Sequence, residues 1–346
     1  MLPQCDVVIK CNDRQAQELS SDEHTDPEPK ARDATTQVDE IDFVTRSCLN
    51  QNLHEMHIRF DNIKLMPCGE YAIISLDVLA DGRILVLSEC AMGLYSIKLT
   101  LISTFDIKHR VNDMCIVKEN KDGYLNVAVC FHKLNKLQIV EHFNEFRELS
   151  YITCEGDVIS ISMCVYHLAV LLSHYEVQLL DIATGHVCYA YKEFRWTING
   201  SIVRLCSPIR IHICSSKNLL IVVDENTIYS FNIKDGKCKE DTLYLVGSCH
   251  WGYSQFSCTK PEFKDANDVK CDSNGNIYVA TSKSIYQVNS TGTARTLIQH
   301  YTDANDILYG FCKTCAIDEY RNRIVVGFVF SRYVRVYDYT LPTNDT

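Results

Sequence analysis

Two short spacings in this sequence are of a kind that can hold a metal. CKTC sets Cys312 and Cys315 three apart, and HEMH sets His54 and His57 three apart. A tetrahedral zinc site takes four thiolate or imidazole ligands, usually as two such pairs, and CKTC has no second pair. A zinc-protease helix needs HExxH, so that both imidazoles share one helical face; HEMH is one residue short and runs into a strand-like segment. Both pairs are therefore read as scaffold. The sequence has no glycine-rich phosphate loop and no GxSxG elbow, and nothing in its order gathers Asp, His and Ser into a triad. No catalytic residue, metal or cofactor is assigned, and a non-enzymatic protein is expected.

What remains is chemistry of recognition, and it concentrates in three segments. KEFRWTINGSIVR holds Arg195, Trp196 and Arg204; SCHWGYSQFSCTKPEFKDAND holds Trp251, Tyr253, Phe256 and Phe263; FDIKHRVND holds Lys108, His109 and Arg110. Trp, Tyr and Arg are the residues that interface centres favour, and these segments carry both of the chain's tryptophans.

The elements that position them follow from composition and pattern. With 46% AVILMFWYC and a mean hydropathy of −0.10, the 346-residue chain can bury a core but has too little continuous apolarity for a membrane span. Its longest apolar runs, such as HLAVLL at 167–172, have strand length. The start MLPQCDVVIKCNDRQAQ lacks a basic cluster followed by a long apolar segment, so no secretory signal is read. Eighteen cysteines are then expected to be reduced thiols in a cytoplasmic protein, with Cys115, Cys130, Cys164 and Cys214 at apolar strand positions.

The net charge of −10 is uneven: residues 1–50 hold eleven Asp or Glu against five Lys or Arg, leaving 33 against 29, a net −4, for the rest. Residues 12–42 are acidic, lack aromatics and include Pro27 and Pro29, so they cannot bury enough surface to offset the entropy of ordering. Residues 1–50 are read as a disordered acidic tail, 51–341 as one folded domain and 342–346 as a short C-terminal tail. Within the tail, DATTQVDE resembles the TQ-centred peptides that dynein light chain captures as an added strand, with Thr36, Gln37 and Val38 at its centre. The plainer reading, a solvated acidic linker, takes precedence.

From about Ile58 the texture becomes short apolar strands between turns, and six stretches share one plan. They span 72–99, 111–141, 157–182, 209–233, 267–289 and 310–339, each with a first strand, a turn rich in Asp, Asn or Gly, a strongly apolar second strand, and an alternating third strand. The second strands begin near Ile84, Leu125, Leu168, Leu219, Ile277 and Ile324, at spacings of 41, 43, 51, 58 and 47 residues. That suits one four-stranded propeller blade per repeat. LISTFDI, FRELSYI, HVCYAY, DTLYLV and ARTLIQ supply outer strands for five copies. The last copy has none, and HIRFDNIKL (57–65) is an unpaired strand ahead of the first. Placing it outermost in the final blade closes the ring and removes exposed edges. The fold class is therefore all-β, a six-bladed propeller of four-stranded antiparallel blades closed by an N-terminal strand. Ile277, Val279, Ile285 and Val288 are expected to pack between blades.

The fifth copy, DVKCDSNGNIYVATSKSIYQVNSTG, resembles an NHL repeat, and DVLADGRILVLSE and CAIDEYRNRIVVGF resemble it more weakly. Residues 57–341 as a whole are similar to the six-bladed domain of tripartite-motif NHL proteins, notably divergent invertebrate ones. A WD40 reading is weaker, because no blade ends in Trp-Asp or opens with Gly-His. The paired zinc ligands of the family's RING and B-box are missing around Cys5, Cys11 and Cys48, and there is no heptad segment for its coiled coil, so ligase activity is not carried over.

In a propeller, every connector from one blade's outer strand to the next blade's inner strand lies on the same face. The expected function is binding of a protein partner there, with Lys108, His109, Arg110, Arg195, Trp196, Arg204, Trp251, Tyr253 and Phe256 as contact residues and no membrane contact. The alternatives are RNA binding through Arg110, Arg195, Arg204 and Arg210, or substrate recognition beside a ubiquitin ligase. A carboxylate or His at the channel mouth would favour an enzyme, and a small or apolar lining would disfavour it.

Overall fold

The computed structural model describes residues 56–68, 71–120, 122–164, 166–196, 202–224, 227–233, 242–250, 265–288, 294–299, 311–329, 331 and 333–341. The chain enters the fold with β1 (His57–Pro67) and then builds blades in order. Blade one is β2 (Ile73–Val78), β3 (Ile84–Ser88), β4 (Ala91–Tyr95) and β5 (Leu101–Asp106); blade two is β6 (Val111–Glu119), β7 (Leu125–Phe131), β8 (Lys136–His142) and β9 (Phe146–Thr153). Blade three is β10 (Val158–Cys164), β11 (His167–Leu172), β12 (Val177–Asp181) and β13 (Val187–Tyr191). Two short strands follow, β14 (Glu193–Trp196) and β15 (Ile202–Val203), before blade four, which is β16 (Pro208–Cys214), β17 (Leu219–Asp224), β18 (Thr227–Asn232) and β19 (Thr242–His250). Blade five is β20 (Ala266–Cys271), β21 (Ile277–Thr281), β22 (Ser284–Val288) and β23 (Ala294–Gln299); blade six begins with β24 (Phe311–Asp318), β25 (Arg323–Val329) and β26 (Tyr333–Thr340).

Burial explains the gradient of apolarity across each blade. Second strands are flanked on both faces by neighbouring blades, so β3 (ILVLS) and β21 (IYVAT) are buried at every residue. Outer strands meet solvent, and in β9 (FRELSYIT) only Phe146 and Ile152 are buried. The apolar residues form six separate clusters, one at each junction between adjacent blades, including blade six against blade one. Ile277, Val279 and Val288 face blade four and Ile285 faces blade six, so this hairpin builds the scaffold as its alternation implied. Cys312 and Cys315 are fully buried between blades five and six, which accounts for CKTC as core. Among the described residues no disulfide joins the cysteines, Cys115, Cys130, Cys164 and Cys214 included.

The turn after the inner strand explains the glycine of the repeat. Gly82, Gly123 and Gly275 have φ near +85° (85°, 85° and 86°), and their N–H groups donate to Leu79, Asn120 and Asp272 carbonyls at 2.8, 3.1 and 3.1 Å. Blades four and six place Asn218 and Asn322 in the same left-handed region.

β1 pairs antiparallel with β26 and completes blade six, from His57 opposite Thr340 to Pro67 opposite Tyr333. It also fills both flanking cores: Met66 enters the junction of blades six and one, and Ile58 packs at that of blades five and six. One feature departs from the expected plan. β14 pairs parallel with β19, and β15 pairs antiparallel with β14, so blade four has six strands instead of four. A chain beginning at residue 51 is expected to unfold at the same temperature as the full chain, whereas one beginning at residue 68 loses β1 and unfolds well below it, as read by thermal scans. Equal midpoints for the two truncations would contradict closure by β1.

Candidate functional site

Every inner strand has an irregularity at the same place. The registers of β2, β6, β10, β16, β20 and β24 against their neighbours shift between Ile73 and Ser75, Val111 and Asp113, Val158 and Ser160, Pro208 and Arg210, Ala266 and Asp268, and Cys312 and Thr314. A bulge of this kind re-aims the residues beside it. The bulged residues, Ile74, Asn112, Ile159, Ile209, Asn267 and Lys313, are half-buried and form a collar at one end of the inner strands, where Ile74, Ile159 and Ile209 pack against the cores between blades. The next residues, Ser75, Asp113, Ser160, Arg210, Asp268 and Thr314, are polar, and none is more than 4% exposed.

This second set forms a ring of contacts from blade to blade. Ser160 Oγ donates to Asp113 Oδ2 at 2.6 Å, and the Ile161 N–H reaches the same oxygen at 3.2 Å. Ser160 Oγ in turn accepts from the Ile211 N–H at 3.1 Å, so blades two, three and four are tied in series. On the opposite side Thr314 Oγ1 donates to Asp268 Oδ2 at 2.6 Å and accepts from the Leu76 N–H at 3.3 Å, tying blades five, six and one. The preceding asparagines repeat the pattern: Asn112 Nδ2 donates to the Val158 carbonyl at 2.9 Å and Asn267 Nδ2 to the Cys312 carbonyl at 3.0 Å.

Arg210 joins the two halves. Its Nη1 lies 3.1 Å from Asp113 Oδ2 and its Nε 3.8 Å from Asp268 Oδ1. It also donates from Nη1 to the Asn112 carbonyl at 2.7 Å and from Nη2 to the Ile74 carbonyl of the opposite blade at 3.1 Å. The side chain thus spans the channel beneath the collar. Burial works against its charge, but Asp113 and Asp268 outweigh that and raise its pKa. Asp268 is pushed up by burial despite Lys270 and Arg210.

Below Arg210 the channel holds a cavity of about 90 Å³ bounded by Asp77, Cys115, Ser162, His212 and Lys270, room for a few waters. Lys270 Nζ lies 3.5 Å from Asp77 Oδ2, and its pKa is raised because Asp77, Asp268 and Asp113 overcome the effect of burial. Burial and the nearby Lys270 lower the His212 pKa to about 3, so its imidazole is neutral at ordinary pH. An enzymatic reading of the sequence asks for polar groups of this kind. Arg210, Lys270, Ser160 and Thr314 engage the carboxylates and so also tie blades together.

The expected contact residues fall in three places. Lys108, His109 and Arg110 are exposed on the connector between β5 and β6, at the collar face, and Arg204 is exposed on the connector that leads to β16. Arg195 and Trp196, expected in a face loop, belong to β14 at the outer edge of blade four. The reason is local: β19 presents an unpaired strand edge, and EFRW, a short strand, satisfies it. Arg195 pairs there with Glu193, Nη2 to Oε2 at 2.7 Å. Arg210, offered as a phosphate contact, is buried and engaged by two carboxylates, which corrects that expectation. Trp251, Tyr253, Phe256 and Phe263, the side chain of Trp196, and Thr36, Gln37 and Val38 lie outside the described residues. Sequence reading missed the ring itself. Its signal was the Asn-Asp dipeptide at the same point of two inner strands, VND at 111–113 and AND at 266–268.

Among the described residues, no helix is long and apolar enough to cross a membrane and no group of side chains is arranged to hold a metal ion. The structure resembles the β-propeller domain of Cps50 (Swd1) from Myceliophteria thermophila, with a TM-score of 0.52 and 12% identity over 78% of this chain and 84% of that one. At that identity the likeness shows a shared propeller fold and nothing of function. No protein-family model and no curated protein matches the sequence.

Replacing Arg210 with Met leaves two buried carboxylates without their cation. It is expected to cost about 3–5 kcal/mol in denaturant unfolding, with part recovered by Asp113→Asn and Asp268→Asn together. A second expectation concerns pH. The folded pKa of His212 lies below its unfolded value of about 6.5, so its contribution is complete above that pH and is lost as pH falls toward 3. Unfolding midpoints should therefore decline below neutrality, and His212→Gln should make that decline shallower.

Proposed function

We propose that this protein is a cytoplasmic, non-enzymatic interaction module that binds a protein partner on the collar face of its propeller. The observation that carries this reading is a cluster of exposed basic residues beside the mouth. Lys108, His109 and Arg110 on one connector adjoin His132 and Lys133 on the β7–β8 turn, joined by the His132 N–H donating to the Arg110 carbonyl at 2.8 Å. The His109 ring meets the buried Phe131 edge-on at 5.6 Å, which seats the connector on the blade. Lys108, Arg110 and Lys133 have no ion-pair partner among the described residues, so their charge is available to an incoming surface.

An NHL-type origin for the blades is part of the same proposal. In the fifth blade Asp272 accepts from the Asn274 and Asn276 N–H groups at 3.0 and 2.8 Å and from Tyr278 Oη at 2.9 Å. This gives a physical role to the Asp-turn-Gly-Asn-Ile-Tyr plan of the repeat. RNA is the second reading, supported by the same exposed cations. Affinity purification with the Lys108→Glu, Arg110→Glu, Lys133→Glu triple variant is expected to lose partners that the wild type retains. Tyr166→Ser with Tyr320→Ser, on turns of the opposite face where these side chains are 78% and 85% exposed, is expected to retain them. The reverse pattern would place recognition on the other face.

A further inference from the structure

We propose that the channel mouth is a carboxylate-binding subsite, built to take one Glu or Asp side chain from an acidic segment of the partner. Its charge would rest on Lys313, and the flanking acids of the segment on Lys108, Arg110 and Lys133. The proposal rests on the collar-face reading above and gives that partner a chemistry.

The collar supplies the argument. Arg210 has Asp113 and Asp268 and Lys270 has Asp77, whereas Lys313 makes no hydrogen bond or ion pair among the described residues. Lys313 occupies the bulge of β24, half-buried and close enough to Arg210, Asp268 and Asp113 to feel their charges. Burial and Arg210 both disfavour its ammonium and lower its pKa. An incoming carboxylate reverses that cost, as an opposite charge does for any partly desolvated amine.

The remaining collar positions decide which anion fits. Three are isoleucines that pack against the cores between blades and offer no polar group to an anion. Asn112 and Asn267 already donate to the Val158 and Cys312 carbonyls, so the collar holds a single uncommitted cation. A phosphate carrying more negative charge would meet that one ammonium with Asp113 and Asp268 next to it. A single carboxylate matches that one charge.

The test is fluorescence anisotropy at low salt with a labelled oligo-glutamate peptide, a matched oligo-glutamine peptide and a single-stranded oligoribonucleotide, using the full chain. Oligo-glutamate should bind and oligo-glutamine should not. Lys313→Gln should weaken oligo-glutamate binding roughly tenfold or more with an unchanged unfolding midpoint, and Lys313→Arg should restore most of it. Binding unaffected by Lys313→Gln, equal binding of oligo-glutamine, or tighter binding of the RNA would each overturn the proposal, the last in favour of nucleic acid. If oligo-glutamate fails to bind while the Lys108, Arg110, Lys133 triple variant still loses its partner, the subsite falls and the face reading stands. If the peptide binds as expected but the triple variant keeps its partner, the face reading falls instead.

Discussion

The contact of Arg210 with Asp113 and Asp268 is the interaction on which the arrangement of the blades depends. Six sheets packed through apolar faces alone have little to fix their rotation about the common axis, because the hydrophobic effect is not directional. Hydrogen bonds and ion pairs in a dry interior are directional and penalise displacement heavily. Here they are organised in two similar halves. Blades two, three and four carry Asp113, Ser160 and Arg210 at the position after the bulge, and blades five, six and one carry Asp268, Thr314 and Ser75. The second half lacks an arginine of its own. Ser75 Oγ is buried there with no hydrogen-bond partner among the described residues, and Arg210 reaches over to the neighbouring Ile74 carbonyl, so one guanidinium serves both halves. Five donors in a planar fork make arginine suited to this task in a way lysine is not.

Closure and edge management follow the same economy of backbone groups. β1 brings the start of the domain to its end and leaves blade six with a paired strand on each side of β26. Blade four covers its own outer edge with β14 in parallel, a small-scale case of strand addition within one chain. A rigid disc of this kind holds its connectors in place at little entropic cost on binding, which is what a recognition surface needs.

Much of the fold was legible because the repeat is written in burial. β3, β7, β17 and β21 begin at Ile84, Leu125, Leu219 and Ile277, the residues at which alternation and apolarity begin, and β11 and β25 begin one residue before Leu168 and Ile324. The closing strand was legible by elimination, since HIRFDNIKL had no other sheet to join. β14 was not, because a short parallel strand so soon after β13 has neither length nor flanking signals to separate it from a loop. The ring was hidden for a different reason. Asp113 and Asp268 look like ordinary turn-adjacent acids, and only the shared bulge brings them within reach of an arginine in blade four and hydroxyls in blades three and six. Lys313, inside CKTC, owes its collar position to the bulge that all six inner strands share, which no local sequence signal marks.

Native-state amide hydrogen exchange tests the central claim, that side chains at the bulges lock the blades together, more directly than any substitution. The Leu76, Ile161 and Ile211 amides donate across blade junctions to Thr314, Asp113 and Ser160. They are predicted to exchange only through global unfolding, as slowly as the central strands β7 and β21. Exchange of these three amides through local opening, at rates like those of the outer strands β5 and β9, would contradict it.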